Sequence, residues 1–158
     1  MSINYLVGDA TQPNAAGTKI VVHICNDLGK WGKGFVLAIS KRWKSPEVIY
    51  KSSFSAVKKP ALGDVQFIPV ESDIVVANII GQEGVRSPRD NKSPAPIRYP
   101  AVRQGLIAVA EYALQHNASV HMPRIGCGLA GGRWEEIEPI IEETLTQKNI
   151  VTNVYDFA

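Results

Sequence analysis

Two glycine-rich stretches constrain this chain more than any other feature. Asn26 to Gly34 (NDLGKWGKG) follows the β-branched run Lys19 to Cys25 (KIVVHIC) and precedes a helical pattern in which Phe35, Ile39 and Trp43 fall four apart on one face. Pro123 to Gly132 (PRIGCGLAGG) follows a short apolar run, Ser119 to Met122, and precedes a second helical pattern through Trp134, Ile137, Ile140, Ile141 and Leu145. Strand, glycine loop and helix in that order form the unit of an open α/β sheet, where ligands sit at the carboxyl ends of strands. Glycine lets the backbone approach a ligand closely, and the free N–H groups of a helix start attract phosphate oxygens. Two such loops can pinch one diphosphate; each alone can also serve simply as a turn. Neither loop contains the Gly-Lys-Ser/Thr of a P-loop. Neither gives a dinucleotide fingerprint, because the strand-linked acidic residue about 20 positions on is missing.

The rest of the chain continues the alternation. Ile3 to Val7, Val65 to Val70, Ile74 to Ile80 and Val151 to Phe157 read as strands. A short helix is expected from Glu47 to Val57, after an interruption at Ser45-Pro46, and a strong amphipathic helix from Tyr99 through Ala113. Pro139 inside the last helical pattern predicts a kink or an irregular first turn there. Gly81 to Pro96 (GQEGVRSPRDNKSPAP) is longer than an ordinary connection and reads as a flexible lid made basic by Arg86, Arg89 and Lys92. The expected fold class is α/β, with a mixed, largely parallel sheet between helices, in one domain over residues 1–158.

Composition narrows the function classes. The chain has 158 residues and a formal net charge of +2, which by itself argues for neither nucleic acid nor a membrane surface. Its two cysteines, Cys25 and Cys127, make no disulfide framework and point to a reducing cytoplasm. Met1 to Gly8 lacks the regions of a signal peptide, and no apolar stretch approaches the ~18 residues of a membrane span. No His, Cys, Asp or Glu group has metal-ligand spacing, so neither a metal nor a cofactor is implied.

Three motifs together carry a family resemblance. Val7-Gly8-Asp9-Ala10-Thr11, His23-Ile24-Cys25-Asn26 with Gly29-Lys30-Trp31-Gly32-Lys33-Gly34, and Met122-Pro123-Arg124-Ile125-Gly126-Cys127-Gly128-Leu129-Ala130-Gly131-Gly132 resemble the macro domain family, most strongly its branch that processes ADP-ribose 1''-phosphate and ADP-ribosyl conjugates. The resemblance covers essentially the whole chain and implies a three-layer α/β/α fold. It also implies roles. Asp9, flanked by Gly8 and Ala10, resembles the acceptor of the adenine amino group, and Asn26 the asparagine beside the distal ribose. Trp31, Gly32, Lys33, Gly34 and Phe35 resemble one clamp on the diphosphate and distal ribose. Arg124, Ile125, Gly126, Cys127, Gly128, Leu129, Ala130 and Gly131 lie on or against the other. Phe157 either stacks on adenine or packs on the core.

His23 carries the question of catalysis, with Asn26 as its neighbour in the same motif. The phosphatase branch has a histidine at this position, and a histidine near a phosphate can act as acid, base or nucleophile. The competing reading is a neutral core histidine; His121 is ambiguous in the same way. His116 reads as a helix C-terminal cap. Cys127 reads first as a small loop filler and second as a thiolate near helix N–H groups. The glycohydrolases that cleave ADP-ribose from acidic side chains have an aspartate where this chain has Ala130, and a lysine where it has Ile80-Gly81-Gln82, so that mechanism is not supported. Asp27 and Asp90 are the carboxylates placed by sequence to approach a distal ribose. The expected activity is hydrolysis of ADP-ribose 1''-phosphate or of an ADP-ribosyl linkage; the alternative is a reader that holds ADP-ribose without turnover, and a more distant RNA-binding or scaffold role is disfavoured by the small net charge and the few exposed-looking aromatics. The expected partners are that ligand and ADP-ribosylated macromolecules.

Overall fold

A computed structural model describes residues 1–87, 89–90 and 92–157, so Pro88 and Asn91 of the expected lid lie outside it, as does Ala158. Six strands form one sheet: β1 (Asn4–Val7), β2 (Lys19–Asn26), β3 (Val65–Glu71), β4 (Ile74–Gln82), β5 (Ser119–Met122) and β6 (Thr152–Asp156). Their order is β1-β6-β5-β2-β4-β3. All neighbours are parallel except β3, which runs antiparallel to β4. The sheet is therefore mixed and mostly parallel, as the alternation of elements predicts.

β2 and β4 are neighbouring interior strands and are buried along almost their whole length. Parallel strands covered on both faces lose the polar alternation of a half-exposed strand, which is why KIVVHIC and IVVANII are apolar apart from Lys19, His23 and Asn78. Pro69, which cannot donate to a ladder, is exposed on β3 at the sheet edge.

Four helices complete the fold: α1 (Phe35–Arg42), α2 (Ser45–Ser53), α3 (Tyr99–His116) and α4 (Trp134–Thr144). One core lies between the sheet and α3 and α4, through Ile20, Val22, Ile79, Leu106, Val109, Met122, Ile137 and Ile141. The other holds Val21, Cys25, Val76 and Ile80 beneath α1 and α2, closed by Trp31, Trp43 and Tyr50. The result is three layers, α/β/α. No helix among the described residues is long and apolar enough to cross a membrane.

Several boundaries differ from expectation. α2 begins at Ser45 and takes Pro46 into its first turn, where the missing N–H would have no intrahelical acceptor. Gly81 and Gln82 belong to β4 rather than to the long connection, and Ile97 pairs back onto Gln82. Glu83 N donates to Pro96 O at 2.9 Å and Arg98 N to Gly81 O at 2.9 Å, so the base of the connection is closed by backbone bonds. Arg98 Nη1 adds three bonds to the carbonyls of Ala95, Pro96 and Ile97. Pro139 sits within α4, whose first turn is tight: Glu136 N bonds Arg133 O, three residues back.

Candidate functional site

Both glycine loops leave the carboxyl ends of adjacent parallel strands, so they face each other at one end of the sheet. Loop one runs from the end of β2 to Gly34, the N-cap of α1 at φ 88°. Loop two runs from the end of β5 toward α4. Its fold depends on small residues: a Cβ at Gly132 would lie 2.4 Å from the Gly126 carbonyl oxygen, a backbone atom that cannot yield. Between the loops lie two adjoining cavities of about 230 and 260 Å3, which share Ile24, Lys33, Val36, Gln82 and Leu129 in their walls.

The first cavity is bounded by His23, Gly34 and Phe35 on one side and by Arg124, Ile125, Gly126, Gly128 and Ala130 on the other. The second is bounded by Asn26, Lys30, Trp31 and Gly32, with Val85 and Arg86 from the 83–96 connection. Of the residues singled out by sequence, Gly8, Asp9, Ala10, Cys127, Gly131 and Phe157 line neither cavity. Gly8, Asp9 and Ala10 follow β1 and Phe157 follows β6, at the carboxyl ends of the two outer strands. Asp9 Oδ1 accepts from Thr11 N at 2.8 Å and Thr11 Oγ1 at 2.7 Å. Phe157 is 69% exposed. Ile24, Cys25, Lys30, Val36, Gln82, Val85, Arg86 and Pro123 are wall residues that sequence reasoning does not assign to the site. The register carries a signal for one of them: Asn26 pairs with Gln82 across a bulge that leaves Gly81 as the extra residue.

The side chains fall into those that shape the walls and those that charge them. Asn26 shapes. Its Oδ1 accepts from Leu28 N (2.9 Å), Lys30 N (3.3 Å) and Tyr50 Oη (2.8 Å), and its Nδ2 donates to Lys30 O (2.5 Å). One carboxamide thus folds the first half of loop one and pins it to α2. Trp31 is fixed in the same way: its Nε1 donates to Ser40 Oγ at 2.7 Å and Val36 O at 3.1 Å. Asp27 lines neither cavity. Its Oδ1 accepts from Gly84 N at 2.8 Å, tying loop one to the connection that supplies Arg86. Asp90 lines neither cavity and caps Lys92 N and Ser93 N.

Charge in the walls has one sign. Lys30, Lys33, Arg86 and Arg124 line the two cavities, and no carboxylate lines either one among the described residues. Arg124 is also paired with Asp156 through bonds of 2.7 and 3.1 Å and lies 5.2 and 5.0 Å from the ring centres of Tyr5 and Trp134.

His23 is 2% exposed and contacts the Trp31 ring edge-on, with centroids 5.4 Å apart. Its Nε2–H donates to Asn78 Oδ1 at 2.5 Å, and burial pulls its pKa down to about 4. Nδ1 is left unprotonated, buried and without a protein partner among the described residues. His121 is equally buried, between Ser119 Oγ (2.8 Å) and Tyr155 Oη (2.7 Å), and its pKa is about 4 through burial and the nearby Lys19 charge. It lies away from both cavities. His116, the last residue of α3, donates Nδ1–H to the Tyr112 carbonyl at 2.9 Å, while the cap itself is Asn117, whose N–H bonds Ala113 O. Burial raises the pKa of the Cys127 thiol, the direction opposite to an activated nucleophile. No cluster of His, Cys, Asp and Glu among the described residues could hold a metal.

Proteins of known structure share this fold. A macrodomain protein from Streptomyces coelicolor is 46% identical over 99% of this chain and 100% of its own, and superposes with a TM-score of 0.86. This chain belongs to the macro domain family. A protein of unknown function from Bacteroides thetaiotaomicron is 55% identical over 99% of this chain and 98% of its own, with a TM-score of 0.94. No protein-family model matches. Among curated relatives, Chromodomain-helicase-DNA-binding protein 1-like of Mus musculus is 31% identical over 166 residues and 99% of this chain, which spans only 18% of that protein's length. The ADP-ribose 1''-phosphate phosphatase of Candida albicans is 27% identical over 97% of this chain and 98% of its own. An ADP-ribose glycohydrolase of Bos taurus is 38% identical over 58 residues.

Proposed function

We propose that this macro domain binds ADP-ribose in the cleft between its glycine loops and hydrolyses a derivative of it, either the 1''-phosphate ester or an ADP-ribosyl linkage. The observation that carries the reading is the cleft itself: two glycine loops facing one another, with four cations and, among the described residues, no carboxylate in the walls. A diphosphate suits that charge, and glycine backbone can come close enough to donate N–H groups to it. The full-length similarity to a phosphatase of ADP-ribose 1''-phosphate supports hydrolysis.

His23 is the titratable base in the wall of the first cavity. With its Nε2–H held by Asn78, Nδ1 is a bare acceptor, the form a general base needs to take a proton from an attacking water. A pKa near 4 makes it a weak base but keeps it neutral at physiological pH. A second reading, a reader without turnover, is favoured by Asn26, whose carboxamide is engaged inside loop one. Calorimetry with ADP-ribose and AMP tests the pocket, and release of phosphate or ADP-ribose from the two substrate classes tests turnover. Equal affinity for ADP-ribose and AMP, or binding of neither, overturns the assignment. Tight binding without release selects the reader.

A further inference from the structure

The net charge of +2 conceals a division within the molecule. Eight of the 17 Lys and Arg residues lie between positions 30 and 59, where Glu47 is the one acidic residue; that stretch carries a formal +7 and the remainder −5. It builds the second half of loop one, α1, α2 and the turn after α2, and so forms one layer of the fold. The opposite layer includes α4, which carries five glutamates and no cation.

Seven of the eight cations are free to meet a partner. Lys51 pairs with Glu47 at 2.6 Å. Lys30 and Lys33 in loop one, Lys41, Arg42 and Lys44 at the end of α1, and Lys58 and Lys59 beyond α2 are exposed. None of them is ion-paired among the described residues. The surface is continuous with the cleft, because Lys30 and Lys33 belong to both. Cations this concentrated repel one another and favour an anionic polymer that can neutralise several at once.

We propose that this layer is a docking surface for the sugar–phosphate backbone of a nucleic acid, held beside the mouth of the second cavity. The aromatic residues of the stretch decide how it is read. Trp31, Trp43 and Tyr50 are buried, and Phe35 and Phe54 are partly buried, so no exposed ring offers a platform for stacked bases. Recognition is through phosphates and independent of sequence, and duplex binds as readily as single strands. The same absence of exposed rings, with helices of eight and nine residues, disfavours an anionic membrane, which takes up long basic helices with aromatic anchors.

The test is fluorescence anisotropy of the full chain with labelled duplex and single-stranded oligonucleotides across a salt series, beside vesicles rich in phosphatidylserine and an acidic peptide. The expected result is binding to both nucleic acids with a log–log salt slope of about −4, the value for four or five phosphate contacts. Lys41→Glu with Lys44→Glu, neither in a cavity wall, weakens oligonucleotide binding at least tenfold and leaves ADP-ribose affinity unchanged. Lys58→Glu with Lys59→Glu, on the turn, does the same and serves if the helix variant melts early. Absence of oligonucleotide binding at low salt, unchanged binding in both variants, or preference for vesicles or peptide overturns the proposal. ADP-ribose calorimetry on the same samples reports separately on the cleft.

Discussion

His23 Nε2 lies 2.5 Å from Asn78 Oδ1, and that bond fixes which nitrogen of the imidazole carries the proton. Asn78 is held in turn: its Nδ2 donates to Pro46 O at 3.3 Å and to Gln66 Oε1 at 3.2 Å. The histidine at the cleft wall is thus wired through β4 to the start of α2 and to the edge strand β3. Such wiring specifies a neutral ring with one defined tautomer, the condition for both a structural histidine and a base.

Acid stability follows from this burial. His23 and His121 have folded pKa values of about 4 against an ordinary 6.5. The unfolded chain therefore binds more protons between those values, and stability falls as pH drops from 6.5 toward 4. Each histidine accounts for a loss on the order of 3 kcal/mol across that window, and for none above it. Urea denaturation at a series of pH values measures the slope, and His121→Gln is expected to remove about half of it. A stability that is flat from pH 7 to about 4.5 contradicts the assignment of both rings as neutral.

Asp27 shapes the cleft from outside. Its Oδ1 accepts from Gly84 N, and its own N donates to Gln82 O at 3.0 Å, so the residue joins loop one to the strand exit that carries Val85 and Arg86 into the second cavity. Asp27→Ala leaves the Gly84 N–H without this acceptor and is expected to weaken ADP-ribose binding about tenfold, the value of one lost hydrogen bond of ~1.4 kcal/mol. Asp27→Asn keeps an oxygen acceptor and restores most of the affinity. Calorimetry of both variants checks the point: an alanine variant that binds as tightly as the parent removes Asp27 from the positioning role.

The alternation of strands and glycine loops made the sheet and the facing loops legible in the sequence, because buried parallel strands and strand-to-helix turns leave local marks. What a side chain does once the loops are closed left no such mark. Asn26 stands in a motif that suggests ribose contact, yet its carboxamide folds its own loop. Gln82 leaves no mark in the sequence because Gly81 and Gly84 punctuate that stretch like a connection; pairing with Ile97 and the bulge beside Asn26 show it to be strand. Arg86 reaches the cavity through a turn fixed by Asp27, 57 positions away from Gly84 in the chain. Charge was misleading in the same way: a sum of +2 says nothing of a layer that holds +7.

The division between enzyme and reader rests on His23 Nδ1. If this nitrogen takes the proton of an attacking water, replacing the ring must remove turnover and spare ground-state binding of ADP-ribose, which lacks the bond to be cleaved. His23→Gln is the informative change, since its amide can still donate to Asn78 Oδ1 while offering no base. Turnover of ADP-ribose 1''-phosphate is expected to fall about 10²-fold or more, the scale of one acid–base group, with ADP-ribose affinity nearly unchanged. The pH profile adds a signature that packing cannot imitate. A base with a pKa of about 4 supports full activity down to pH values well below 6.5, whereas an ordinary histidine would lose activity through the slightly acidic range. His23→Ala provides the contrast: it opens a cavity beside Trp31 and strands the Asn78 carboxamide, so its melting temperature falls and binding and turnover decline together. A His23→Gln protein that melts normally and turns over at the parent rate ends the catalytic role of this residue and leaves the cleft as a reader's pocket or assigns the chemistry to other groups in its walls.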